Sequence, residues 1–201
     1  IDYENGQLIN EEWFSLVESV PGTDGEFSIQ RVVDVLQESL LAVEKARAAE
    51  EKVLNLPDSH KRRLNWPEVI WVGEVRSDMP YGYGTYTWYG SKGERIYRGQ
   101  AERGASNGYG MVTTWGGTAC WGKHSAGHIH GLALCHLTDG SKHIGKISHS
   151  LFQGVGIRYH PDGKIQAGVW QGYVGYVGDT LVAGKEYVQG EAPAELWKGM
   201  P

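Results

Sequence analysis

Several features are scarce in this 201-residue chain, and each scarcity excludes a class of protein. The two cysteines, Cys120 and Cys135, are too few for the disulfide framework that staples small secreted domains. The net charge of −5 provides no bulk positive charge for a phosphate backbone, so we predict no nucleic-acid partner. The longest apolar runs, such as 40–43, fall far below the ~20 residues that span a bilayer, so no transmembrane segment is predicted.

Glycine, in contrast, is abundant. The chain has 29 glycines among 201 residues, about twice the usual ~7%. Only seven prolines accompany them, which excludes collagen, and the eight Trp and eleven Tyr exclude a disordered tract.

Glycine and charge divide the chain into unlike parts. Three glycines precede residue 71 and 26 follow it, while residues 1–66 hold 13 acidic and 7 basic residues. The remaining residues hold 11 acidic and 12 basic residues, so the acidic charge is concentrated before Pro67. We predict a helical amino-terminal arm over 1–66, a repeat sheet over 67–170, and a tail over 171–201 that caps the sheet or binds a partner.

The arm predicts two helices. Asn10 can cap a short helix that ends near Val20, and Ser28 can cap a longer helix that ends near Leu54. In the longer helix, apolar residues spaced by four and three positions form one stripe: Ile29, Val33, Leu36, Leu40 and Val43. Two interpretations stay open: the stripe packs on the chain's own sheet, or Leu36, Leu40 and Val43 contact another protein.

Glycines recur in three registered series after residue 71. The first series, spaced by 26, 23, 23 and 23 residues, is Gly73, Gly99, Gly122, Gly145 and Gly168. The second series lies nine residues after the first four members: Gly82, Gly108, Gly131 and Gly154. The third is Gly93, Gly117, Gly140 and Gly163. The first unit carries three extra residues, which we place within 89–93.

The segments between these glycines predict short antiparallel strands. Ranges 85–88, 111–115, 132–137 and 155–159 are rich in β-branched and aromatic residues. Asp-Gly dipeptides at 139–140 and 162–163 suit tight turns. We therefore predict a mainly β protein, an elongated antiparallel meander, in which aromatic rings cover the bare backbone of strand glycines. The candidate rings are Trp71, Tyr86, Tyr97, Trp115, Trp121, Tyr159 and Trp170.

The repeat resembles the MORN (membrane occupation and recognition nexus) family. Residues 71–88 and 97–112 each carry an aromatic-x-Gly start and a later Gly-x-Gly, and the Asp-Gly turns match the family pattern of 23 residues. The resemblance covers about residues 71–170, as four units and the opening strand of a fifth. In the opening aromatic position, Cys120, His143 and Gln166 depart from the pattern, and Ala133 replaces the second glycine of Gly-x-Gly.

The side chains that could take part in catalysis or bind a metal do not form a known catalytic or metal-binding motif. Six histidines lie within 124–149, but His130, His136 and His143 occupy different repeat positions, so we predict no metal site. Cys120 and Cys135 are predicted to be buried, inert thiols. No phosphate-binding glycine loop, serine elbow or zinc-binding helix is present. We therefore predict no catalytic residue and no cofactor.

The resemblance implies scaffolding, dimerisation and, in some family members, binding of acidic phospholipids. We expect a non-enzymatic scaffold or assembly protein that contacts other protein subunits, with Leu196 and Trp197 of the tail as further contacts. A narrower hypothesis, prompted by the start at Ile1, is an accessory subunit of a large organellar complex, in a plastid or mitochondrion after presequence removal; otherwise we expect the cytoplasm. One alternative is a peripheral module that binds acidic phospholipid through basic residues: Arg95, Arg98 and Arg103. A second alternative is an enzyme with an unrecognised site on the sheet.

Overall fold

A computed structural model describes residues 28–91, 93–172, 179–188 and 191–197. It also gives the backbone of two paired two-residue strands, β1 (Tyr3–Glu4) and β2 (Gln7–Leu8). The short helix predicted from Asn10 to Val20 lies outside the described residues.

Eleven strands form one antiparallel sheet in which each strand pairs with its neighbours in sequence. This arrangement confirms the predicted mainly β meander preceded by a helix. The strands are β3 (Arg62–Trp66), β4 (Val69–Arg76), β5 (Met79–Gly90), β6 (Gly93–Glu102), β7 (Ala105–Thr113), β8 (Ala119–Ser125), β9 (His128–His136), β10 (Lys142–Ser148), β11 (Leu151–Tyr159), β12 (Ile165–Gly172) and β13 (Asp179–Tyr187).

The repeat is visible in strand lengths and in hydrogen bonds. Strands β5 and β6 have 12 and ten residues, whereas β7, β9 and β11 have nine and β8 and β10 have seven, so the first unit, which carries the three extra residues, forms the longest hairpin of the repeat. At one end of the sheet, successive turns are joined by equivalent backbone bonds about 3.1–3.2 Å long. The donor and acceptor pairs are Gly104 to Pro80, Gly127 to Ser106, and Ser150 to Ile129.

The sheet extends beyond both ends of the range 67–170. Strand β3 precedes Pro67 and pairs with β4, while β13 follows residue 170 and pairs with β12. Two short helical segments complete the described chain: a 3-10 turn (Asp58–His60) and helix α2 (Ala194–Trp197).

Helix α1 (Ile29–Leu54) begins after Ser28 as predicted and lies across one face of the sheet. Its apolar stripe forms one core with residues of β9 to β13, in which Leu36 and Val43 are each 2% exposed and Leu40 packs against the same core. The intramolecular interpretation of the stripe is therefore correct. The partner-contact interpretation of Leu36, Leu40 and Val43 is wrong, because these side chains already pack within the chain.

The carboxyl-terminal half of α1 buries Ala46, Ala49 and Val53 and also contacts the sheet through polar groups. Glu50 accepts a hydrogen bond from the Trp121 indole at 2.9 Å and lies 3.7 Å from the Arg98 guanidinium. Lys52 lies 5.1 Å from the Tyr83 ring centre, and Arg47 lies 5.9 Å from the Trp121 ring centre. These polar contacts flank the buried apolar residues and help to orient the helix on the sheet.

The tail also packs on the chain itself. Leu196 is fully buried in the core beneath α1, and its carbonyl accepts a 2.6 Å hydrogen bond from the Tyr159 hydroxyl. The prediction that Leu196 contacts a partner is therefore wrong. The side chain of Trp197, the other predicted contact, lies outside the described residues.

Two leucines of α1 test this packing. Leu36→Ala should lower the free energy of unfolding by about 2–5 kcal/mol, because it opens a cavity in the core. Leu41→Ala is the matched control, since Leu41 is 54% exposed on the same helix and should change stability by less than about 0.5 kcal/mol. Urea unfolding followed by circular dichroism measures both, and equal effects would contradict the described orientation of α1.

Candidate functional site

A row of glycines crosses the face of the sheet opposite α1, here called the open face. The row runs through ten strands, and each member is directly paired with the next in strand register. Its members are Gly73, Gly84, Gly99, Gly110, Gly122, Ala133, Gly145, Gly156, Gly168 and Gly184. The first glycine series of the sequence therefore forms half of this glycine row, and the pattern of Gly-x-Gly supplies most of the other half.

Rings occupy the space that side chains on the glycine row would need. A Cβ atom at Gly110 would lie 2.7 Å from the Tyr97 ring, and one at Gly73 would lie 2.9 Å from the Trp71 ring. A Cβ atom at Gly156 would similarly lie 2.8 Å from the His143 ring. Close backbone approach and ring packing thus explain why glycine is required inside these strands.

Glycine is required in the other two series for a different reason, which is the backbone conformation. The glycines of the second series lie near the starts of strands and have φ between +73° and +104°. Residues that carry a side chain rarely adopt this backbone conformation. At two of these positions a side chain from the preceding strand binds the next backbone N–H: Glu74 accepts from Tyr83, and Gln100 accepts from Tyr109. The third series, Gly93, Gly117, Gly140 and Gly163, lies at turns with φ between +83° and +111°.

The predicted ring positions divide between the two faces. Trp71 and Tyr97 lie on the glycine row as predicted, and their polar atoms donate to the carbonyls of Glu74 and Gln100 three residues later. Trp121 and Tyr159 instead face α1 and the tail, and Trp115 is exposed at a turn, so none of these three covers the row. Strand alternation explains the error, because a shift of one residue moves a side chain to the other face.

Two glycines in ordinary backbone conformation test the glycine row. In Gly110→Ala the new methyl group would meet the Arg98 carbonyl at 2.6 Å and the Tyr97 ring, and we expect a loss of about 1–3 kcal/mol in unfolding free energy. Gly116→Ala is the control, because its nearest neighbour would be Thr114 at 4.0 Å, and we expect a change within about 0.5 kcal/mol. Chemical denaturation compares the two, and a neutral Gly110→Ala would contradict ring packing on the row.

Cys120 and Cys135 form a disulfide, so the prediction of free thiols is wrong. The two residues are directly opposite on β8 and β9, and both are buried on the open face; Cys120 holds the repeat position where Trp71 and Tyr97 carry rings. The covalent link therefore replaces an aromatic ring in the middle unit of the repeat. Spacing alone did not reveal this pair, because the strand register was needed to place the two cysteines opposite each other.

Two histidines are fully buried on the open face. His124 packs edge-on against Tyr97 with 4.6 Å between ring centres, and His143 lies between Phe152 and Trp170 at 4.0 and 5.1 Å. Burial lowers the pKa of His124 to about 3, helped by nearby Arg95 and His128. Burial, with a smaller contribution from Arg158, also holds the pKa of His143 well below its usual value. Both rings are therefore neutral at pH 7.

This burial predicts sensitivity to acid. Unfolded histidine has a pKa of ~6.5, so below that pH the unfolded state binds more protons than the folded state. Stability should be fully present above about pH 6.5 and should fall as the pH drops towards the lower folded pKa values. The double variant His124→Phe with His143→Phe should flatten this slope, by up to about 1.4 kcal/mol per pH unit for each histidine. Urea unfolding from pH 7.5 to 4.5 measures the slope; His60→Gln, at an exposed position, should leave it unchanged.

Three other exposed histidines lie at a turn end of β9 to β11. The His149 ring centre is 5.6 Å from that of His130 and 6.2 Å from that of His128, and the Ser148 hydroxyl lies 3.0 Å from His149 Nδ1. In the described part of the chain, no three His, Cys, Asp or Glu side chains are arranged to hold a metal ion.

The three arginines predicted to contact lipid do not form one patch. Arg98 faces α1 and pairs with Glu50, whereas Arg95 lies on the open face over the Trp88 ring, 4.9 Å from its centre. Arg103 projects from a turn with its side chain 89% exposed. The predicted basic cluster is therefore wrong, since Arg95 and Arg98, an odd number of positions apart on β6, point to opposite faces and Arg103 lies beyond the strand. Across the described ranges, no helix combines the length and apolar character needed to cross a membrane.

Of the four exposed Trp and Tyr side chains in the described ranges, three lie at one end of the sheet, which we call the aromatic end: Trp66, Tyr89 and Trp115; the fourth, Tyr81, lies at the opposite end. The first three lie where β3, β5 and β7 finish, and they are 45%, 45% and 38% exposed. The Tyr89 N–H donates to the Glu68 carbonyl in the β3–β4 turn at 2.9 Å, and a Cβ at Gly90 would lie 3.0 Å from the Trp115 ring. These contacts join the turns into one surface. The sequence identifies these aromatic residues, but it does not predict that their side chains are exposed.

The chain matches no family model, and no curated protein matches it.

Proposed function

We propose that this chain is a non-enzymatic scaffold or assembly protein of the MORN type, which holds another protein at its aromatic end. The observation that carries the proposal is the exposure of Trp66, Tyr89 and Trp115 at the ends of alternate strands of the sheet. Trp and Tyr are enriched among the residues that contribute most to protein–protein binding. Grouped exposed aromatics are therefore typical of a contact surface.

The sheet supports such a role because it holds these side chains on a rigid frame. Every strand from β4 to β12 is paired on both sides, and α1 spans β5 to β12. A fixed backbone reduces the conformational entropy lost on binding, which favours affinity from a small surface. The glycine row and its recurring rings support the MORN assignment within this proposal.

Other described groups favour a scaffold over the two alternatives. His124 and His143 have ring nitrogens without hydrogen-bond partners, but both side chains are 0% exposed and out of reach of a substrate. Arg95, Arg98 and Arg103 point in different directions, so they cannot face one lipid surface together.

The disulfide refines the organellar hypothesis. Disulfides persist in oxidising environments and are rare where glutathione and thioredoxin keep thiols reduced. We propose that this protein works in an oxidising compartment, either inside an organelle, as an accessory subunit of a large complex, or along the secretory route. Mass spectrometry of thiol-blocked protein from its source would test this, because free Cys120 and Cys135 would contradict it.

A capture experiment tests the scaffold function. Affinity-tagged protein should retain specific partners from an extract of its source, and the double variant Tyr89→Ala with Trp115→Ala should lose at least 90% of them by quantitative mass spectrometry. The matched control is Leu41→Ala with Leu54→Ala, which removes two exposed apolar side chains from α1 and should retain the partners.

Two outcomes would overturn the proposal. Equal retention by both double variants would show that the aromatic end is not the contact surface. Capture of no protein above background, combined with flotation on vesicles containing acidic phospholipid, would favour the lipid-binding alternative instead.

A further inference from the structure

Strand β3 leaves one edge of the sheet without a partner strand among the described residues. Its five residues, Arg62–Trp66, pair with β4 on one side only. An unpaired edge presents backbone N–H and C=O groups that can bind another strand. The exposed Trp66 side chain adds apolar surface at this edge.

The turn after β3 determines which backbone groups face outward. Only Pro67 and Glu68 separate Trp66 from Val69, so Trp66 and Val69 flank a two-residue hairpin turn. Residues flanking such a turn exchange backbone hydrogen bonds, and the bonded pairs then alternate along the ladder. Arg62, Leu64 and Trp66 therefore bond to β4, whereas the N–H and C=O groups of Arg63 and Asn65 point away from the sheet.

We propose that β3 pairs antiparallel with β3 of a second copy of this chain, about a two-fold axis at Leu64. In that register Arg63 lies opposite Asn65 of the second copy, and the two residues exchange both backbone hydrogen bonds. The two-fold axis repeats the pair, so four backbone hydrogen bonds form. Leu64 lies opposite Leu64 of the second copy at the axis.

The side chains of β3 are complementary to themselves in this register. On the open face Arg62 lies opposite Trp66 of the second copy, a combination that favours cation–π contact. Among the described residues, Arg62 forms an ion pair only with Asp78, at 3.2 Å, and both side chains are more than half exposed, so the guanidinium can reorient at little cost. On the other face Arg63 lies opposite Asn65 of the second copy. Within a single chain the Asn65 side-chain oxygen already accepts a hydrogen bond from Arg63.

Pairing of β3 with β3 of a second copy gives a closed dimer. Pairing of β3 with the opposite edge strand, β13, would not. An isologous contact uses the same surface twice and ends at a dimer, whereas β3 on β13 would leave both edges free and generate filaments. The contact is small, because it involves five-residue strands and their immediate neighbours. We therefore expect a reversible dimer of micromolar affinity.

Substitutions of opposite charge at Asn65 test the register. Asn65→Lys places a positive charge opposite Arg63 of the second copy and should weaken the dimer, while Asn65→Asp places a negative charge there and should tighten it. Two such pairs form per dimer, so we expect the dissociation constant to change roughly threefold to tenfold in each direction. Sedimentation velocity from 1 to 200 μM, at low salt, measures the shift between 22.2 kDa monomer and dimer.

The same charge changes elsewhere provide the control. Gln30→Lys and Gln30→Glu alter an exposed residue of α1 and should leave the dissociation constant unchanged. Circular dichroism confirms that each variant folds. A monomer at every concentration, species larger than a dimer, or equal shifts from Asn65→Lys and Asn65→Asp would each overturn the proposal. Because Tyr89 and Trp115 are intact in these variants, failure here leaves the capture experiment on the aromatic end unaffected.

Discussion

The packing of rings against bare glycine backbone is the constraint on which the open face depends. A strand normally loses stability when glycine replaces a larger residue, yet here ten consecutive strands place glycine or alanine in one row. The loss is offset because Trp71, Tyr97 and His143 fill the space above the row and bury their own apolar surface. A single sheet can thereby form a core on the face that α1 does not cover.

The two faces of the sheet are stabilised in different ways. Beneath α1, aliphatic residues such as Leu36, Ile144 and Ile157 pack in an ordinary layer of helix on sheet. On the open face the repeat supplies a ring, a disulfide or a buried histidine at the same position of successive units. The disulfide and His143 occupy the position that other units fill with an aromatic residue. The repeat therefore accepts different side chains at that position while it keeps the glycine row. The surfaces available for binding are therefore the strand ends, where Trp66 and Trp115 are exposed, and the edge strand β3.

Periodicity in the sequence predicted much of this architecture, because glycine spacing is a direct consequence of strand register. The 23-residue period, the three added residues near Tyr89 and the capping position at Ser28 all have structural counterparts. The assignment of side chains to faces was less predictable, since a bulge after each glycine of the first series shifts the register. Trp121 and Arg98 each directly precede a row glycine and so point to the opposite face by simple alternation, while the pairing of Cys120 with Cys135 depends on a strand register that spacing alone does not give. The exposure of the aromatic end depends on which turns α1 leaves uncovered, which no local pattern encodes.

Ring-current shifts in the proton NMR spectrum measure the central contact directly. If the rings of Trp71, Tyr97 and His143 lie on the glycine row, the Hα protons of Gly84, Gly110 and Gly156 should be displaced upfield of those of Gly104 and Gly127, around which space is open. Tyr97→Leu should return the Gly110 Hα protons towards their ordinary shift while leaving Gly84 unchanged. Ordinary shifts at all three row glycines in the folded protein would contradict the account.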